Sequence, residues 1–279
     1  MIEVKNFSFQ YRESSEPTVK DINLTIPEGS FVGITGAAGC GKSTLTYALN
    51  GIIPHCYPGE FYGSVTIDGL DTVDTDLTDI SRIVGSVCQD IDSQMVSFIV
   101  EDEMLYGLEN FGVSHDIIED RIAEALEIVG ISDLRHRTID SLSGGQKQKV
   151  AIAAILALKP RVLVLDEPTA ELDPASSVNV FDILRDYAQK ESITVIVVEQ
   201  KIALLSDYAD LLIIMKDGQI FLADAPEKVL EHSDELLEIG VNCPRSTSLS
   251  NNLRSIGLYD GPVCKNVEAA IEMCEEVIA

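Results

Sequence analysis

The chain has 279 residues, 46% of them hydrophobic, with 46 acidic against 20 basic side chains and a formal net charge of −26. That length allows one large domain or two small ones, with material for a sizeable core. The charge argues against nucleic acid as a partner, since phosphates call for clustered Lys and Arg, and against docking directly on anionic lipid. Its plain reading is a well-solvated surface, with adaptation to a salty cytoplasm as a speculative second. The longest apolar runs, such as Val162 to Leu165 and Leu211 to Met215, fall far short of the ~20 residues that span a bilayer. Met1-Ile2-Glu3-Val4 carries no signal-peptide pattern. The expectation is a cytosolic protein, or one held at a membrane by partners without inserting in lipid. Cys40, Cys56, Cys88, Cys243, Cys264 and Cys274 form no CxxC pair and read as reduced thiols rather than disulfides or zinc ligands.

Residues 2 to 35 are expected to form antiparallel strands. Phe7, Phe9 and Tyr11 alternate, as do Ile22, Leu24 and Ile26, with Pro27-Glu28-Gly29 as a turn. Tyr11 is either a ring that stacks on adenine or an ordinary strand tyrosine. Phe31, Val32 and Ile34 then make an apolar strand, and Leu45, Ala48, Leu49 and Ile52 fall at helical spacing. Between them runs Gly36-Ala37-Ala38-Gly39-Cys40-Gly41-Lys42-Ser43-Thr44, the spacing of a phosphate-binding loop. Glycines let successive N–H groups curl inward toward phosphate oxygens, and the helix N-terminus adds partial positive charge. Lys42 can reach the β- and γ-phosphates, and the Ser43 hydroxyl can ligand Mg²⁺. Cys40 inside the loop reads as a small residue filling a free position, or as a thiol made reactive by the helix N-terminus.

Val65 to Ile67 gives a further short strand, and Ile83 to Val87 another that runs into Gln89. Residues 90 to 141 turn helical and acidic, with Ile118, Ile122, Ala125, Leu126 and Val129 on one amphipathic face. Ser143-Gly144-Gly145-Gln146 opens the next helix with a capping-box pattern, and Pro160 closes it. Val162 to Leu165 and Val195 to Val198 are apolar without alternation, as strands buried on both faces of a parallel sheet are. The first ends in Asp166-Glu167 and the second in Glu199-Gln200. Leu211 to Met215, the Asp217-Gly218 turn and Ile220 to Leu222 predict a closing hairpin. Residues 226 to 279 hold no strong strand. Their last segment predicts an amphipathic helix capped by Asn266, read as an accessory element packed on the core or on a second subunit. The fold class is therefore α/β: a parallel-sheet core with an antiparallel β subdomain, a helical subdomain and a small C-terminal extension. Ligands are expected at the C-terminal edge of the parallel strands. Asp166 after a buried strand suits Mg²⁺ held with Ser43, and Glu167 can orient or deprotonate an attacking water.

Leu142-Ser143-Gly144-Gly145-Gln146, placed between the phosphate loop and Asp166-Glu167, resembles the signature of ATP-binding cassette ATPases, whose core is the RecA-like P-loop NTPase fold. The likeness spans residues 1 to about 225, with a helical subdomain at about 90 to 158 and an extension at 226 to 279 read as an accessory or dimerisation element. The resemblance implies that Gln89 lies on the Q-loop and contributes to Mg²⁺, that Asp173 belongs to the D-loop, that Tyr11 stacks adenine, and that Ser143, Gly144, Gly145 and Gln146 reach ATP held by a partner cassette, identical or not. It implies MgATP as ligand and catalysis by Lys42, Glu167 and Gln200. Gln200 stands where most of the family has a histidine. An amide still donates a hydrogen bond but cannot become cationic, so slow hydrolysis, or a regulatory ATP clamp in a heterodimer, is the alternative. A soluble cassette of DNA repair or translation is a further rival that the acidic charge disfavours. A closer resemblance, through Gln89-Asp90-Ile91-Asp92-Ser93-Gln94, Val100-Glu101-Asp102-Glu103, Tyr106 to Asn110 and Asn50 to His55, is to ATPase subunits of energy-coupling-factor importers of vitamins, cobalt or nickel. It implies transmembrane coupling and substrate-binding subunits, a place on the cytoplasmic membrane face, and a docking contact at Met95, Val96 and Phe98. Those three read equally as core residues of the helical arm.

Overall fold

The computed structural model describes residues 1 to 278. Two sheets lie against one another. The first is antiparallel, in the order β2 (Val19–Ile26), β1 (Ile2–Tyr11), β4 (Gly59–Ile67), β5 (Leu70–Asp71). The second runs β10 (Gln219–Asp224), β9 (Leu211–Lys216), β3 (Phe31–Gly36), β8 (Thr194–Val198), β7 (Val162–Asp166), β6 (Val84–Val87). It is parallel except for the β9–β10 edge hairpin.

The unbroken apolar strands are explained by what covers them. Leu163 and Leu165 of β7, and Val195 and Val197 of β8, enter the core beneath the helices. Their neighbours Val162, Val164, Ile196 and Val198 enter a second core shared with the antiparallel sheet and the helix after the phosphate loop. Both faces are dry, so no polar residue is tolerated until the strand ends.

Two expectations are corrected. Residues 2 to 35 do not all form antiparallel strands: β3, buried at every position, pairs in parallel with β8 and β9, as a strand covered on both faces does. The strand placed at Val65–Ile67 begins at Gly59 and pairs with β1 along nearly all its length, from Ile2 opposite Ile67 to Tyr11 opposite Gly59. Its polar half is held by its partner rather than by its own hydrophobicity. Phe61 packs on Phe7 with ring centroids 4.9 Å apart and on Phe9 at 6.4 Å, a context effect that outweighs strand propensity. Gly63, at φ +81, sits at the register shift. A Cβ there would lie 2.3 Å from the Lys5 carbonyl oxygen.

The helical arm consists chiefly of Val100–Asn110, His115–Ile128 and Gly144–Ala157. Met104, Leu108, Ile122, Leu126, Val150 and Ala151 are buried together between them. Arg135 staples the arm's outer side, donating to Glu101 and Glu119 at 2.6 Å each. After Asp224 the described chain is helical where it is regular. Its Val229, Leu230, Leu236, Val241 and Val263 join the larger core. The final helix, Val267–Ile278, starts where the Asn266 side chain accepts the Ala269 N–H at 3.0 Å. No helix among the described residues is long and apolar enough to cross a membrane.

Candidate nucleotide and catalytic site

The phosphate loop leaves β3 and enters the helix Lys42–Leu49. Two of its glycines are demanded by geometry. A Cβ on Gly36, at φ +150, would lie 2.2 Å from the Met215 carbonyl oxygen, and one on Gly41, at φ +102, 2.8 Å from Val19 Cγ1. No side chain caps this helix, which leaves its N-terminus to the loop, the arrangement that binds an anion. Lys42 is buried, its Nζ donating to the carbonyls of Gly36 at 2.9 Å and Ala37 at 3.0 Å. Ala37, Ala38 and Gly39 complete the arch, and Ser43 and Thr44 open the helix. The loop is thus a cradle of donors and one ammonium, which fits a triphosphate.

Strand order brings the other groups together. Gln89 follows β6, Glu167 follows β7 and Gln200 follows β8, and these strands are neighbours beside β3. The Glu167 carboxylate is held from both sides: Gln89 Nε2 donates to Oε2 at 3.1 Å and Gln200 Nε2 to Oε1 at 2.7 Å. Its backbone is left-handed, φ +50, fixed by the Glu167 N–H donating to the Val198 carbonyl at 2.8 Å. A bulky residue at positive φ is uncommon and marks a position where the surroundings impose the conformation.

Asp166 differs from its neighbour. Burial pushes its carboxyl up, a Ser43 hydrogen bond pulls it down, the Glu167 charge adds an upward push and Lys42 opposes it. A carboxylate short of positive charge beside a serine hydroxyl is an oxygen donor set suited to a hard divalent cation. Among the described residues no group of three His, Cys, Asp or Glu side chains could hold a metal, so Mg²⁺ here would draw its remaining ligands from phosphate and water. Ser43, Asp166 and the free amide oxygen of Gln89 are the protein atoms that fit it.

Tyr11 stands beside the loop. Its hydroxyl shares a hydrogen bond with Thr44 Oγ1 at 3.1 Å, and its ring meets Phe9 edge-on at 4.9 Å. Cys40 is buried, and burial pushes its thiol up while the Lys42 charge, with Nζ 4.0 Å from Sγ, works against that. Burial and an upward-shifted thiol support the packing reading of Cys40.

The signature lies elsewhere in the same chain. Ser143 and Gln146 form the expected capping box, Ser143 N–H donating to Gln146 Oε1 at 3.0 Å and Gln146 N–H to Ser143 Oγ at 3.4 Å. Ser143, Gly145 and Gln146 border a cleft with Lys149, Ser176 and Asn179 that includes no phosphate-loop residue. Gly144 instead borders a cleft of about 740 Å³ that runs past Gln89 to Ser43, Asp166 and Glu167. Asp173 caps the helix Pro174–Glu191, accepting from Ala175 N–H at 3.0 Å and Ser176 N–H at 3.1 Å. Of the suggested docking residues, Met95 packs on the arm's core, but Val96 and Phe98 are 60% and 80% exposed. The core reading fails for those two. The Glu103 carboxylate accepts the N–H groups of Val96 at 3.0 Å and Ser97 at 2.8 Å, which fixes the loop in this outward-facing shape.

A polar cluster behind Gln200 escaped the sequence reading: Thr169, Ser177, Glu199 and Lys201. Its one visible signal is Glu199, an acid ending a wholly apolar strand and yet 2% exposed.

A nucleotide cradle, an acid for a divalent cation and a clamped glutamate at one sheet edge define a P-loop ATPase. Residues 19–170 match the family model described as ABC transporter. Over 94% of its length the chain is 41% identical to a Pyrococcus horikoshii protein provisionally named an ABC transporter ATP-binding protein, covering 93% of that relative. A similarly named Pyrococcus abyssi protein is 38% identical over 99% of both chains. A Methanosarcina mazei relative is 40% identical, but the chain covers 44% of it. Among solved structures, CbiO1 of Clostridium perfringens, described as part of the ABC transporter complex CbiONQ, superposes with a TM-score of 0.75 at 31% identity, over 88% of this chain and 96% of that one. A dimeric ATP-binding cassette in a post-hydrolysis state with ADP and phosphate gives 0.72 at 28% identity, over 81% and 99%. The chain belongs to the ABC transporter ATPase family: it is an ATP-binding subunit that binds ATP with Mg²⁺ and hydrolyses it.

Proposed function

We propose that this chain energises import through separate membrane subunits of the energy-coupling-factor type, carrying a micronutrient or metal ion, from the cytoplasmic membrane face. Residues 1–225 serve as the cassette, and 226–279 as an accessory extension near the dimer. Two cassettes, identical or not, pair head to tail. In each site Gly36 to Thr44 hold the triphosphate, Tyr11 stacks the base, and Ser43, Asp166 and Gln89 bind Mg²⁺, which when bound would neutralise phosphate charge. Glu167 activates water between its two amide clamps, and Lys42 and Gln200 donate to the γ-phosphate. The partner's signature, Ser143 to Gln146, closes the site from the far side, a reading supported by Ser143, Gly145 and Gln146 bordering a cleft that holds no phosphate-loop residue of their own chain.

The observation that carries this reading is the outward-held pair Val96 and Phe98, on the loop between Gln89 and the helical arm. Isolated exposed apolar residues are ordinary. Two of them fixed in place on the loop after Gln89 support a docking contact. The likeness to CbiO1 supports the importer class. The test is co-purification of a membrane protein from the native host with tagged wild type and with Val96→Ser/Phe98→Ser. The reading expects capture by the first and loss by the second, with ATP binding equal in both. Equal capture by both would refute the docking role. The regulatory-clamp alternative is favoured by Gln200 alone, and absence of turnover in the captured complex would support it.

A further inference from the structure

Gln200 lies at the phosphate edge and Asp173 opens the helix Pro174–Glu191, twenty-seven positions earlier in the chain by their numbers. A buried polar chain joins them. The Glu199 carboxylate accepts the Gln200 N–H at 2.8 Å and the Lys201 N–H at 3.2 Å through Oε1, and the Thr169 hydroxyl through Oε2. Thr169 Oγ1 in turn accepts from Lys201 Nζ at 3.2 Å. The same ammonium donates to the Thr169 carbonyl at 2.7 Å and to Ser177 Oγ at 3.1 Å. Ser177 Oγ donates to the Asp173 carbonyl at 3.0 Å, and its N–H reaches the same oxygen at 2.9 Å. Glu199 and Lys201 are therefore a charge pair relayed through one threonine hydroxyl, which donates to the anion and accepts from the cation.

Such a network is costly to leave half-satisfied, because Thr169, Ser177 and Glu199 are buried and Lys201 is half-buried. It has no slack: the carboxylate fixes the backbone of Gln200, and the ammonium fixes the loop from Thr169 to Asp173. A hydrogen-bonded chain with all its partners committed moves as a unit or breaks.

We infer that Glu199, Thr169 and Lys201 are positioning residues that transmit occupancy of the γ-phosphate edge at Gln200 to the segment ending at Asp173. The inference rests on the γ-phosphate role proposed for Gln200 and not on import.

Hydrogen exchange of the full-length chain, with and without MgATP, tests it. Peptides over the phosphate loop report nucleotide binding, and peptides over 169–180 report the relay. In wild type, MgATP is expected to slow exchange in both. In Thr169→Val, which keeps the shape and removes the hydroxyl, the phosphate loop should still be protected while the 169–180 response is lost. Thr169→Ser should restore it, and Lys201→Met should behave as Thr169→Val. A merely structural role would lower protection of 169–180 equally with and without nucleotide and leave the MgATP difference intact. That result, or a wild-type 169–180 segment indifferent to MgATP, overturns the inference. Absence of phosphate-loop protection would overturn the nucleotide site itself and the inference with it.

Discussion

Replacing Gln200 by leucine isolates what the amide contributes. The side chain makes one hydrogen bond, Nε2 to Glu167 Oε1 at 2.7 Å, and Gln89 makes the opposing one at 3.1 Å. If Gln200 only steadied Glu167, its removal would cost the lower part of the roughly 1.5–3 kcal/mol range for hydrogen bonds to a charged group. That is about a tenfold loss of rate. If its second N–H also donates to the γ-phosphate as charge develops, the loss rises to roughly 10²–10³. The assay is phosphate release at saturating MgATP, with Glu167→Gln as the inactive reference. KM should stay put, because the Gln200 side chain hydrogen-bonds to Glu167 and not to the phosphate loop, and kcat should carry the effect. Adding Gln89→Leu should cost more than the product of the single losses, since the carboxylate then loses both clamps. Turnover of Gln200→Leu within about threefold of wild type, under ~0.7 kcal/mol, would refute the reasoning.

Gln200→His should raise turnover, and the gain should shrink as pH rises through about 6.5, where imidazolium loses its charge; a flat pH profile of the gain would contradict this. Asp166→Asn should raise the melting temperature of the nucleotide-free chain at pH 7. Burial lifts the Asp166 carboxyl, so the native state binds the proton more tightly than the unfolded one, and stability falls as pH rises through the lifted value. The variant's advantage should therefore narrow on acidification, which calorimetry at several pH values would read. The same variant should lose Mg²⁺-dependent nucleotide affinity. Gly85→Ala, in β6 against the helical arm, places a Cβ 2.3 Å from Ile155 Cγ2 and should destabilise by about 1–3 kcal/mol in urea melts while leaving nucleotide affinity intact.

What the sequence made legible is what repeats locally. The β7 and β8 runs could be read because each residue in them meets one of two dry cores, and the phosphate loop because its glycines answer to backbone geometry at single positions. The capping box at Ser143 and the cap at Asn266 are contacts between residues three apart, within reach of any window. The polar half of β4 was not legible, since its partner strand supplies the ordering. Nor were the two clamps on Glu167. Gln89 and Gln200 lie 78 and 33 positions from it, and only strand order makes them neighbours. The relay joins Thr169 and Lys201 across 32 positions of sequence, and both ends lie in loops, where polar residues read as solvated by default.

That hidden layer changes how the missing histidine is weighed. Judged by residue type, Gln200 is a deficit: a neutral donor where a cation is usual. Judged by contacts, it holds the acid-base residue with one N–H of its amide, has a second N–H to give, and has its own backbone pinned by a buried carboxylate. Catalysis by preorganised donors depends on how little they must rearrange as charge develops, and less on formal charge. A fixed amide forfeits the cation's long-range attraction but keeps the positioning. The reasoning therefore expects a working but slowed site, with the Gln200→His gain well below the Gln200→Leu loss. Equal and large effects in both directions would mean that charge, and not placement, is what this position supplies.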